Sequence, residues 1–189
     1  ALFNGAFTLT ESVQGLVLNS GIAHLNSLDI NVLLNSGSGD FTIPSEASLL
    51  VSNGAIVRTN GTNRGLVLHG KLQVGQGGIA NLNGGTNNYL EYSATGKSTI
   101  VIEGNGELYI GSQLRRSTET EAGILHFAQL GADSKVVVGD KDSGTPTRAM
   151  FEILNEGSTF RQAAGAVLTI KNQKGGSENY DLIFDPSTA

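Results

Sequence analysis

The chain has 189 residues, with 12 Lys and Arg against 17 Asp and Glu, a formal net charge of −5 and only 15% charged residues. This excludes the basic stripe of a nucleic-acid binder, and a hydrophobic share of 39% excludes a disordered chain. Zero cysteines exclude disulfides, thiolate metal sites and cysteine nucleophiles.

The length fits one all-β domain spanning 1–189. The first third is acidic: Glu11, Asp29, Asp40 and Glu46 precede the first cation, Arg58. An anionic membrane surface or a phosphate backbone is therefore a poor partner for it. The opening "ALFNGAFTLT" has no basic region and is not an intact signal peptide. No stretch reaches the roughly 18–20 apolar residues of a membrane span, so no membrane insertion is expected of this segment. Residues 1–45 are read as an irregular or capping portion, with "GLVLNSG" at 15–21 and "DFTIP" at 40–44 as irregular coils.

From residue 45 onward short apolar clusters recur with an alternation of two. One family holds Leu49–Val51, Leu72–Val74, Leu108–Ile110, Val136–Val138 and Leu168–Ile170, at spacings of 23, 36, 28 and 32 residues. A second holds Leu66–Leu68, Leu90–Tyr92, Ile100–Ile102, Leu125–Phe127, Phe151–Ile153 and Leu182–Phe184. Alternation of this kind predicts strands with one buried and one exposed face. Glycine is about twice its usual share, at 26 residues. "NGTNRG" (60–65), "GQGG" (75–78), "NGG" (83–85), "GNG" (104–106) and "KGG" (174–176) read as turns or corners between strands. The stretches 112–123, 140–150 and 172–180 read as corner loops that bulge from the repeat. A helix over 117–130 competes, but Gly123 interrupts it and "ILHF" fits the strand pattern.

A strand unit repeating every 20–40 residues or so predicts a solenoid. We expect a right-handed parallel β-helix of six or seven irregular coils, each recurring phrase being one wall of one coil. The alternative is a β-sandwich or jelly roll, which also has many short strands. It would more often carry a buried Trp, and this chain has no Trp.

The phrases "GKLQVG" (70–75), "GELYIG" (106–111), "SKVVVG" (134–139) and "GAVLTI" (165–170) resemble the coils of bacterial surface β-helix proteins. These are autotransporter passengers, filamentous-haemagglutinin-like adhesins and, broadly, the pectate-lyase-like superfamily. The resemblance covers about residues 45–185. It implies a non-enzymatic structural or adhesive segment of a larger secreted or cell-surface bacterial protein. Its partners would be neighbouring domains, other surface proteins or glycans. The alternative is a polysaccharide-binding or polysaccharide-degrading β-helix, a lyase or hydrolase, whose acids would converge on one sheet face.

Here the acids are scattered. Asp140 and Asp142 in "GDKDSGTP" are the candidate calcium ligands, although the later ligands of a calcium loop are missing and the plainer reading is a turn. His24, His69 and His126 have no metal-ligand spacing, no Gly-x-Ser-x-Gly elbow supports a nucleophile, and no catalytic residue or cofactor is assigned. The candidate ligand-binding residues are Tyr89 and Tyr180, which follow Asn-containing loops and could stack on sugar rings. Arg115 and Arg116 in "LRRSTETE" are the other two, set against a reading in which that run compensates its own charge. Tyr92 and Tyr109 fall within strands, where one face is core.

Overall fold

The computed structural model describes residues 2–3, 16–35, 39–63, 65–92, 95–116, 122–141, 149–171 and 182–185. Among them every regular element is a strand. A short β1 (Leu2–Phe3) is followed by β2 (Gly21–Asn26), β3 (Asn31–Leu33) and β4 (Phe41–Ile43). Next come β5 (Ala47–Ser52), β6 (Ile56–Arg58) and β7 (Gly65–Leu68), then β8 (Lys71–Val74), β9 (Ile79–Leu82) and β10 (Tyr89–Tyr92). The pattern continues through β11 (Lys97–Ile102), β12 (Glu107–Ile110) and β13 (Leu114–Arg116), and then β14 (Ile124–Gln129), β15 (Lys135–Val138) and β16 (Phe151–Leu154). It ends with β17 (Thr159–Gln162), β18 (Val167–Ile170) and β19 (Leu182–Asp185).

From β2 onward every third strand joins the same sheet, and β1 adds to the outer edge of β2. The first wall runs β1-β2-β5-β8-β11-β14-β17, the second β3-β6-β9-β12-β15-β18, and the third β4-β7-β10-β13-β16-β19. All pairings are parallel, so the chain is a parallel β-solenoid and not a sandwich. It makes about five turns, slightly fewer than the six or seven coils expected. Residues 21–43, within the stretch read as irregular, supply β2, β3 and β4, which pair in register with β5, β6 and β7.

The alternation decides which side chains form the core. Leu49, Leu72, Ile100 and Phe127 stack in register on the first wall. Val57, Ala80, Leu108 and Val136 do so on the second, and Leu66, Leu90, Leu114 and Phe151 on the third. All twelve are fully buried, and each coil covers the inner side chains of its neighbours. Burying such a side chain stabilises by roughly 1.5–3 kcal/mol, so cohesion accumulates coil by coil.

The recurring phrases occupy two different walls. "GKLQVG" contains β8 on the first wall, whereas "GELYIG" contains β12 on the second. The corner from first to second wall is a stack of two-residue turns at 53–54, 76–77, 104–105, 132–133 and 164–165. Positive φ at Asn53 (52°), Gly54 (81°) and Gly77 (68°) explains the Asn and Gly there. The segment for which a helix competed contains β14 as a strand.

Candidate functional site

The outward faces of the walls carry the polar side chains, and the coil register determines which of them meet. On the third wall Tyr89 lies opposite Gly65, and Glu91 lies opposite Arg115. With no side chain at Gly65, the Tyr89 ring occupies its space: a Cβ at Gly65 would lie 2.2 Å from the ring. Asp40 joins these coils, accepting from the Gly65 N–H at 2.7 Å and from the Tyr89 hydroxyl at 2.9 Å. The Arg115 guanidinium sits 4.4 Å from the Tyr89 ring centroid. Its Nε and Nη2 both donate to Glu91 Oε2 at 3.0 Å, and Nη1 donates to Gln113 Oε1 at 2.6 Å. Burial, and then the hydrogen bond to Asp40, push the Tyr89 phenol up to about 12.

Two candidates from the sequence thus come together in one outward tract. Tyr89 and Arg115 are contiguous there, the Tyr89 hydroxyl engaged by Asp40 two coils away and the Arg115 guanidinium by Glu91 of the adjacent coil. Arg116 is different. It is buried, donates to Glu152 Oε1 at 3.2 Å and to Asn155 Oδ1 at 3.1 Å, and does not present its charge to solvent as a binding loop would. The Arg pair sits on strand β13 and not in a loop. Among the described residues its carboxylate partners include Glu91 and Glu152, from the neighbouring coils on either side. Glu119 and Glu121, the partners expected from the sequence, lie outside the described residues, as does Tyr180.

Asp140 is a corner pin. Its Oδ1 accepts from Lys171 Nζ at 2.5 Å and its Oδ2 from Asn83 Nδ2 at 3.2 Å, so each oxygen is held by a different coil. Asp142 lies outside the described residues. Among the described residues, no group of three or more His, Asp or Glu is placed to hold a metal ion.

Strand parity separates the other two tyrosines. Tyr92 is in step with Leu90 and fully buried, its oxygen accepting from the Leu154 N–H at 3.2 Å. Tyr109, between inward Leu108 and Ile110, faces out on the second wall. Its hydroxyl donates to Glu107 Oε2 and accepts from Lys135 Nζ at 3.2 Å. Burial and the Glu107 hydrogen bond raise its pKa. The sequence contained this distinction in its alternation.

On the first wall, His24, Ser52, Gln73, Gln76 and Glu103 line an open groove of about 240 Å³. His24 Nε2 lies 2.8 Å from Ser52 Oγ, while Ser52 donates its hydroxyl proton to Asn26 Oδ1 at 3.1 Å. Gln73 Nε2 donates to Glu103 Oε2 at 2.8 Å. The groove offers amide, imidazole and carboxylate groups suited to hydroxyl-bearing ligands. His126 Nδ1 meets Thr159 Oγ1 at 3.0 Å, another bond between coils.

No known protein family, curated protein or solved structure matches this chain.

Proposed function

We propose that this chain is a non-enzymatic structural and adhesive β-solenoid segment of a larger secreted or cell-surface bacterial protein. The observation that carries this reading is how the outward polar groups are used. Glu91 bonds Arg115, Asp40 bonds Tyr89, Glu103 bonds Gln73 and Asp140 bonds Lys171, each pair joining different coils. Carboxylates held in this way fasten coil to coil. A rod built so gains reach by adding coils, without enlarging a globular core. The test is to blot fractionated cells and culture medium with an antibody to this segment. A surface species far above the 19.6 kDa of this chain supports the reading. A free species near that mass in the medium overturns it.

The first-wall groove favours one second reading, in which the rod binds a neutral glycan through His24, Gln76 and Glu103. A glycan array tests it. Binding that His24→Ala and Gln76→Ala both abolish would support the groove; no binding, or binding that both variants retain, would remove it.

A further inference from the structure

The two ends of the rod differ. At the N-terminal end the inner residues Ala23, Leu25, Val32, Phe41 and Ile43 are at most 4% exposed, as covered as those of the middle coils. At the C-terminal end β17, β18 and β19 are the outermost strands of their sheets. Their inner positions are bulky, apolar and incompletely covered. Phe160, Leu168 and Ile170 are only partly buried, and Leu182 and Phe184 are 46% and 42% exposed. Their register partners one coil earlier, Phe127, Val136, Val138, Phe151 and Ile153, are all at 0%. The Phe127 and Phe160 rings stack at 5.5 Å, nearly parallel at 7°, and the Phe184 ring lies 6.0 Å from Phe160. An aromatic and aliphatic stack that runs through the rod therefore reaches this surface uncovered, beside three strand edges.

We propose that the β17–β18–β19 rung is a joint that receives a further three-strand parallel coil, supplied by the larger polypeptide; this rests on the reading of the chain as a segment of one. The surface is continuous with the coil-to-coil interface that repeats throughout the molecule, which specifies the occupant. Its strands run parallel to β17, β18 and β19 about 4.8 Å away, and bulky apolar side chains sit opposite Phe160, Leu168, Ile170, Leu182 and Phe184. A copy of this chain stacked head to tail does not meet that description, because the core at its own N-terminal end is already covered. Edge strands with exposed apolar side chains pair with another chain unless something covers them.

This chain has no cysteine, so a thiol introduced into it is the only one it carries; in the whole gene product the labelled site is read out on the peptide that bears it. Phe184→Cys and Leu182→Cys report on the joint, and Thr99→Cys, outward in mid-rod, is the control. In the 189-residue chain all three variants are expected to react readily with a maleimide. In the whole gene product the thiols of Phe184→Cys and Leu182→Cys are expected to slow by about a hundredfold, as for a site that reacts only through rare opening. The thiol of Thr99→Cys should keep its rate. Equal rates in the whole product overturn the joint while leaving the segment reading intact. Slowing in the 189-residue chain, with a dimer in sedimentation, also overturns it by placing a second copy there. Slowing only in a large product that is not on the cell surface supports the joint and removes the surface reading. A gene product of about this chain's own mass removes both.

Discussion

Replacing Leu108 by Ala tests the inward assignment at the centre of the rod. Leu108 is fully buried on β12, between Ala80 on one neighbouring coil and Val136 on the other. Truncation places two alanines side by side on the inner wall. The backbone ladders on both flanks of β12 fix the coil spacing, so the wall cannot close over the gap. Buried Leu→Ala substitutions cost roughly 2–5 kcal/mol, increasing with the cavity that remains, and a site that cannot collapse belongs in the upper part of that range. We expect a loss of about 3–5 kcal/mol in urea unfolding followed by circular dichroism, with an unchanged denaturant slope. Tyr109→Ala, one residue on, removes a larger side chain from the outer face and should cost about 1 kcal/mol or less. Equal costs at the two positions, or a larger cost at Tyr109, would refute the alternation on which the fold rests.

Arg116→Ala should cost about 3–5 kcal/mol, because it removes the guanidinium that the buried Glu152 carboxylate meets at 3.2 Å; Arg116→Met combined with Glu152→Leu should recover most of that in the same unfolding assay. Tyr89 should titrate near pH 12 by ultraviolet absorbance, and Tyr89→Phe should remove that transition. Its folded pKa lies above the ordinary 10.0, so its contribution to stability is complete below pH 10 and is lost as pH rises towards 12; stability rising through that window would contradict the assignment. Gly131→Ala should destabilise by about 1–3 kcal/mol or more, since its Cβ would sit 1.9 Å from the Gly104 carbonyl oxygen of the neighbouring coil. Gly39→Ala, with open space around its Cβ position, should leave the thermal midpoint nearly unchanged or slightly raised.

Strand identity was legible because alternation survives in each short segment: Leu72 and Val74 point inward, and Lys71 and Gln73 do not. The number of walls was not. Leu72 and Leu108 sit in nearly identical phrases 36 residues apart, yet Leu72 pairs with Ile100, 28 residues on, and Leu108 belongs to the next wall. Each wall makes the same demand, apolar residues inward with glycine where the chain turns, so the phrase does not encode which wall it builds. The corners were better marked, and "GQGG" forms the turn at 76–77 that its glycines indicate.

The polar tract was legible only in fragments. Tyr89 and Arg115 could be singled out, but their partners Asp40 and Glu91 lie 49 and 24 residues away from them, and only the coil length relates such positions. Arg116 and Glu152 are 36 apart, because the chain between β15 and β16 lengthens that coil. Stacking of coils brings Glu91 to Arg115 and Glu152 to Arg116, one from each neighbouring coil.

The central claim is a linear stack in which distance follows coil number. Ile22, Ser48, Lys71, Thr99, His126 and Thr159 form one register row along the first wall. Spin labels on cysteines introduced at positions 22 and 99, 22 and 126, and 22 and 159 should give mean distances rising by about 4.8 Å per coil, to about 24 Å for the last pair. Label distances that fail to increase in that order, or a 22–159 pair closer than 22–126, would contradict the solenoid.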